Sequence, residues 1–544
     1  MKQLPLPMKQ PMLALRQQAL PLKQQAPPKQ QAQPVKQQAL PPCAGLPTRD
    51  LVLQVLGWQF IGMALLVVHI VLCKLNLLFF PIALLALGYV HHKSPLAGLL
   101  ILFQLLIYQN WFISILSVGM DYEGFTALQG TNFAALVVMA AVSLLRLTST
   151  RRWRHLNSHL LWMVKLALLA AAGYALYGMS KSGLTSAAVY FREATSLVLT
   201  IPIGLDVGRI WSFKTIGTAF VISAALSIMI SLLEIAAPAP YYDAINAPNY
   251  MNLKYTKIDP ATGPGADEDY FESGKQLAAE NRSVFFNVTG SDSNATSFRF
   301  MGTIIHPISY GYILAGVTIV AVAVGMAPWL WITLPMLAMI GTKGAALLVF
   351  FTFDLWFVWY VTRNSRFLLA TGIVLMIAYV GFGIMSGMRN DDYHVLGFLG
   401  GVHGLMADPI GHGLGVGGNF SPQAEQNFKW STFQHSGLDF ALESAVGVLI
   451  YQMGLASAAI FGVIVLLLKN AGLHLRSPRR QDIVFLALAT VAVNGVFQEE
   501  AYTAYACGLF TLLCAVVVAN GERTVVTCAR PARKALSMLR AAAA

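Results

Sequence analysis

Residues 304–325 read IIHPISYGYILAGVTIVAVAVG, a run with no carboxylate, lysine or arginine. As a helix it is long enough to cross a hydrocarbon core of about 30 Å. It also lacks the short alternating pattern of a barrel strand. Similar runs recur on both sides of it, from Leu51 to about residue 519. Hydrophobic residues make up 56% of the chain and charged ones 11%, against roughly a quarter charged in a soluble domain. The chain reads as an all-α polytopic membrane protein.

Lys and Arg number 37 against 25 Asp and Glu. Their distribution argues against nucleic acid as a partner, because they cluster in short loops and at the termini, as the positive-inside bias predicts. Threading the apolar runs by that bias places helices near 53–73, 76–90, 96–118, 130–147, 158–177, 194–208, 215–235, 304–325, 328–341, 344–361, 367–386, 438–468, 482–497 and 505–519. That is about fourteen helices, with both termini cytoplasmic. The chain divides into a Gln/Pro-rich tail (1–49), N-terminal helices (50–235), a polar loop (236–303), further helices (304–386), a second polar loop (387–437), C-terminal helices (438–520) and a basic tail (521–544). In the first tail Lys/Arg-Gln-Gln-Ala recurs among prolines, a composition that cannot bury enough surface to fold. The five cysteines are scattered and read as small core residues.

Both long polar loops face away from the cytoplasm in this threading, and loops of such length are usually functional or disordered. Whether the first covers a site is open; its Asn281, Asn287 and Asn294 sequons read as chance in an Asn/Ser/Thr-rich stretch. The stretch Met388–Ser444 gathers Arg389, Asp391, Asp392 and the histidines 394, 403, 412 and 435. No packing requirement of a membrane helix explains so many ionisable groups, so chemistry is expected there. Adjacent aspartates point different ways, so Asp391-Asp392 makes a poor divalent-metal pair. Gly411–Gly418 lacks the Gly-Lys-Ser/Thr of a phosphate loop. It reads as a flexible loop that lets backbone approach a glycan. Glu499-Glu500 reads as a solvated cap on a short turn.

Three segments share an order. Arg299-Phe-Met-Gly-Thr-Ile-Ile-His-Pro-Ile-Ser-Tyr-Gly opens the run at 304. Gly341-Thr-Lys-Gly-Ala-Ala-Leu-Leu opens the run at 344. Ala407-Asp-Pro-Ile-Gly-His-Gly-Leu-Gly-Val-Gly precedes His435-Ser-Gly-Leu and Glu443-Ser. Over about 299–468 this set resembles the O-antigen ligase / O-antigen polymerase (Wzy-type) superfamily of bacterial membrane glycosyltransferases. Ser309, Lys343 and Ser436 depart from its usual asparagine, arginine and asparagine.

The resemblance implies a GT-C-like enzyme of the bacterial inner membrane, with its active face periplasmic. The implied reaction is inverting and metal-independent, with no cofactor. It moves a glycan from undecaprenyl diphosphate to an acceptor sugar hydroxyl, as a polymerase of O-antigen or exopolysaccharide. A ligase using a lipid A-core acceptor has the same chemistry. Membrane lipids, and a chain-length regulator or flippase, are the further expected partners. A diphosphate leaving group calls for fixed cations, and arginine's planar fork suits phosphate oxygens. Arg299 and Arg389 are therefore the first candidates. Lys343 and Arg192, the latter expected in an outer Tyr190-Phe-Arg-Glu turn, come second. His435 is the preferred base, since an imidazole titrates near neutrality. His306 and His412 are candidates for substrate contact. A secondary transporter or flippase is the reading of another class. It would rest on Lys165 and Asp354 inside helices.

Overall fold

The computed structural model describes residues 48–149, 158–258, 271–284, 296–390, 392–418, 443–472 and 479–521. His435, Asp391 and the sequons at Asn287 and Asn294 lie outside them. Among the described residues, ten helices are long and apolar enough to cross a membrane.

The expected fourteen becomes ten by that measure for local reasons. The two helices expected at 158–177 and 194–208 are present but join at a kink at Gly183 (φ +84, ψ 168), and the continuous stretch Ser158–Gly208 counts once among the ten. Arg192 therefore sits inside a helix, and the expected turn at Tyr190 is absent. Phe79–Lys93, Leu330–Ile340 and Ile483–Asn494 are helices of 15, 11 and 12 residues, too short for an ordinary crossing.

We label the helices α1 Thr48–Leu75, α2 Phe79–Lys93, α3 Pro95–Ile115, α4 Tyr122–Gln129, α5 Thr131–Ser149, α6 Ser158–Gly208 and α7 Phe213–Ala236. After the first polar segment come α11 Pro307–Val324, α12 Leu330–Ile340, α13 Lys343–Thr362 and α14 Ser365–Asn390. The expected helix at 438–468 is broken at Gly454 into α16 Ala445–Met453 and α17 Ala458–Gly472. Then follow α18 Ile483–Asn494 and α19 over 507–521.

The two parts of α6 have different neighbours. Before Gly183, Met163 packs at Gly462 of α17 and Gly178 at the backbone of Leu414. After it, Gly204 and Gly208 admit the α19 backbone at Leu512 and Val516, and Thr200 and Thr511 share a hydroxyl hydrogen bond of 2.6 Å. Small residues permit such close approach where lipid supplies no hydrophobic drive between helices. On the outside, Phe367, Val374, Ile377 and Phe382 of α14 are exposed, as a lipid-facing helix requires.

Basic residues gather at one end of the bundle. Arg146 donates to the His91 and His92 carbonyls and lies 3.5 Å from the buried Asp206 carboxylate. Arg480 approaches Gly325 at the end of α11.

The described parts of both polar segments are folded. The first forms α8 Pro238–Ala244, α9 Ala247–Ile258 and α10 Gly274–Glu280. Strands β1 Arg282–Val284 and β2 Thr296–Phe298 then pair antiparallel. The second contains an apolar helix, α15 Tyr393–Ala407. This helix crosses α16 where Gly401 meets the Gly447 backbone.

Candidate functional site

The site grows from the start of α11. His306 caps that helix, its Nδ1 accepting the Ser309 N–H at 3.3 Å and lying 2.9 Å from Ser309 Oγ. Pro307 supplies the preset φ of a first helical turn. Because Nδ1 accepts, the proton of the neutral ring is on Nε2. Burial, with the Lys254 and Arg299 charges nearby, lowers the His306 pKa to about 3. At neutral pH this histidine is an uncharged hydrogen-bond donor, which makes it a poor base.

His306 lines a cavity of about 560 Å³. Arg192 of α6 and Lys254 of α9 add cationic groups to its wall, and Glu193, Glu499 and Glu500 add carboxyls. Amides and hydroxyls complete it, among them Asn110, Asn132, Asn281 and Ser309. Arg192 holds Glu193 at 3.3 Å, and Glu193 and Glu499 line the same cavity. Glu499-Glu500 is thus no solvated cap: the pair is half-buried and forms one wall of the cavity.

Arg299 stands beside this cavity, near enough to Glu500 and His306 to act on both charges. Burial works against its charge and Glu500 supports it. Its Nε donates to the Ile340 carbonyl at 3.2 Å. Its backbone is clamped by Asn281, whose carbonyl accepts the Arg299 N–H at 2.9 Å and whose side-chain amide donates to the Arg299 carbonyl.

The structure thus brings Arg299, Arg192 and His306 together. It leaves three other candidates apart. Lys343 is exposed at the first turn of α13, and Arg389 is exposed near the end of α14; neither lines the cavity. His412 stacks on Tyr451, with ring centroids 4.0 Å apart, and its Nδ1 contacts the Tyr451 carbonyl at 3.1 Å.

The glycine run is packed, contrary to the expectation of a loose loop. Gly411, Gly413, Gly415 and Gly417 all have positive φ, which only glycine adopts without strain. Their backbone threads between α6 and α16. His412 and Gly413 donate to the carbonyls of Tyr451 and Gln452, and Leu414 donates to that of Tyr174. A side chain on Gly413 would meet Gly178, and one on Gly418 would meet the Tyr190 hydroxyl.

Asp392 caps α15 through the His394 N–H. His394 in turn lies 3.5 Å from Glu443, whose charge reaches Glu499 and Glu500. Segment 419–442, which carries His435, is therefore flanked by Gly418 against Tyr190 and by Glu443 beside the cavity carboxyls. Lys254 and Glu193 were not singled out from sequence, and Asn281 only as a sequon read as chance. Only the Arg192-Glu193 pair inside an apolar run offered a signal.

No protein family, no curated protein and no solved structure matches the chain.

Proposed function

We propose that the protein is a membrane glycosyltransferase of the polysaccharide-polymerase kind, moving a glycan from undecaprenyl diphosphate to an acceptor sugar hydroxyl. The observation that carries this reading is the polar cavity of about 560 Å³ whose wall holds Arg192, Lys254, His306 and the carboxyls of Glu193, Glu499 and Glu500, with Arg299 beside it. Its size falls in the usual range of small-ligand sites, about 300–1,000 Å³.

In the proposed step the acceptor oxygen bonds to the anomeric carbon from the side opposite the diphosphate. The carbon–oxygen bond to the diphosphate breaks, and the configuration inverts. The hydroxyl proton passes to a base, for which His435 is the choice carried by the resemblance. The carboxyls of Glu193, Glu499 and Glu500 are the alternative acceptors. Arg299 and Arg192 stabilise the charge that develops on the departing diphosphate. His306 Nε2–H donates to the substrate without adding charge.

The basic residues opposite the cavity support a cytoplasmic location for that end, and with it the reading of a cavity that faces the periplasm from the inner membrane, with both termini cytoplasmic. A ligase acting on lipid A-core uses the same step. Gene deletion separates the two, because loss of a polymerase accumulates single repeat units and loss of a ligase accumulates long lipid-linked polymer. Of the two residues a transporter would rest on, Asp354 is half-buried within α13 but Lys165 is on an exposed face of α6, and the cavity charges sit at one end of the bundle, which supports the transferase reading over transport.

The test is extension of a lipid-linked oligosaccharide by the purified protein, without nucleotide or added metal. Extension that disappears in Arg299→Ala and Arg192→Ala supports the reading. Parent-like extension by both folded variants would sink it.

A further inference from the structure

We infer that Glu234, far from any motif in the sequence, is the positioning residue that sets Arg299 and His306 at the cavity. This rests on the glycosyltransferase reading of that cavity.

Glu234 lies in the last turn of α7 and has no exposed surface. Its Oε1 accepts the Met301 N–H at 2.6 Å and the Tyr242 O–H at 2.7 Å, and its Oε2 accepts the Gly302 N–H at 2.9 Å. Met301 and Gly302 lie between Arg299 and His306. One buried side chain thus takes two successive backbone N–H groups of this segment at once.

The segment needs such a hold because its backbone is unusual. Gly302 has φ +61, and a side chain there would run into the Tyr310 ring. Ile305 has φ +53, a region that a β-branched residue rarely enters. Strained backbone persists only where its surroundings over-determine it. Here Asn110 donates to the Ile304 carbonyl at 2.8 Å and Thr303 shares a 2.6 Å hydroxyl bond with Ser227. Glu234 is the one carboxyl among these anchors.

Tyr242 links this carboxylate to the first polar segment, and the Asn281 amide lies 3.4 Å from the Tyr242 hydroxyl. Asn281 is the residue that clamps the Arg299 backbone. Glu234, Tyr242 and Asn281 therefore form one bracket around Arg299, with its fixed end in α7. The substrate-facing groups are held from behind by a residue that does not line the cavity.

The test uses the full-length protein with Glu234→Gln, Glu234→Ala and Tyr242→Phe. Gln keeps the acceptor oxygen for Met301 and Tyr242 and turns an NH2 toward Gly302. Two quantities are read on folded, monodisperse protein: deuterium exchange of the peptide spanning 299–306, and the kcat and KM for a lipid-linked oligosaccharide. A displacement near 1 Å can cost about 100-fold in rate. We expect kcat to fall about 100-fold in Glu234→Ala and about tenfold in Glu234→Gln, with a smaller fall in Tyr242→Phe and KM within about twofold of the parent. Exchange at 299–306 should rise in the same order.

Unchanged exchange in the Glu234 variants would overturn the inference. So would a kcat that stays at the parent value per folded molecule, or a loss of activity that only tracks the loss of folded protein. If the parent itself extends no glycan, the functional reading fails; the exchange measurement still decides whether Glu234 holds this segment.

Discussion

The two polar segments of the chain make an instructive pair. Residues 387–444 hold the four clustered histidines and the glycine run, whereas residues 236–303 are charged but poor in recognisable motifs. Yet the first segment supplies Lys254 and Asn281 to the cavity and clamps Arg299. The described part of the second is chiefly a packed ribbon and a short apolar helix, with His394 and Glu443 approaching the cavity carboxyls from one end. A conspicuous run of histidines and glycines along a chain does not measure proximity to a site. What counts is which groups the backbone network brings to one place.

The comparison breaks most easily at its two arginines. Arg299→Ala should lower transfer by about 10²–10³-fold, the usual cost of removing a group that stabilises transition-state charge. Arg389→Ala, exposed and outside the cavity, should stay near the parent rate. Chain extension by purified protein measures both, and the reverse order would return the site to the second segment.

Acid sensitivity comes next in size. The unfolded His306 ring takes up a proton below about pH 6.5, and the folded ring only near pH 3. The unfolded state therefore binds more protons between those values. This contribution to stability is full above pH 6.5 and is lost as pH falls toward 3. Thermal unfolding across pH 4–7 should show a steeper acid loss for the parent than for His306→Asn, since asparagine also caps a helix and does not titrate. Equal slopes would mean that the buried ring does not govern this range.

The ribbon should respond in stability and not in turnover. At Gly415 φ is +97, and a side chain would meet Ser182 Oγ at 2.5 Å and the Ala187 nitrogen at 2.7 Å. Gly415→Val should cost roughly 1–3 kcal/mol of stability, read as a lower thermal midpoint, with activity per folded molecule retained. His412→Ala should cost less, about 0.5–1.5 kcal/mol for the lost stacking on Tyr451. A fall in kcat in either folded variant would give the second segment a catalytic share. Lys343→Ala should change extension least, because its side chain is exposed away from the cavity.

Much of the fold was legible before any coordinates. Uncharged runs such as 307–324 have one inexpensive place in water and lipid, and each carries that information within itself. Their separation into ten long helices and a few short ones was less legible. Whether α6 turns, or continues to Gly208 with Gly183 as its one break, depends on what packs against each half. Arg299 was visible at the mouth of an apolar run, as was His306 before Pro307. The tautomer and low pKa of His306 were not visible, because they come from a cap on Ser309 and from the charges of Lys254 and Arg299.

The sequence by itself determined that this is a helical membrane protein and that its basic loops alternate with its polar ones. Hydrophobicity and charge act locally, residue by residue, so a linear reading captures them. Only the tertiary structure decided that Glu193 and Glu499, more than three hundred positions apart, share a wall, and that a carboxylate in α7 holds the segment between Arg299 and His306. Those facts depend on hydrogen bonds and burial between distant segments, and no local pattern of residues encodes them.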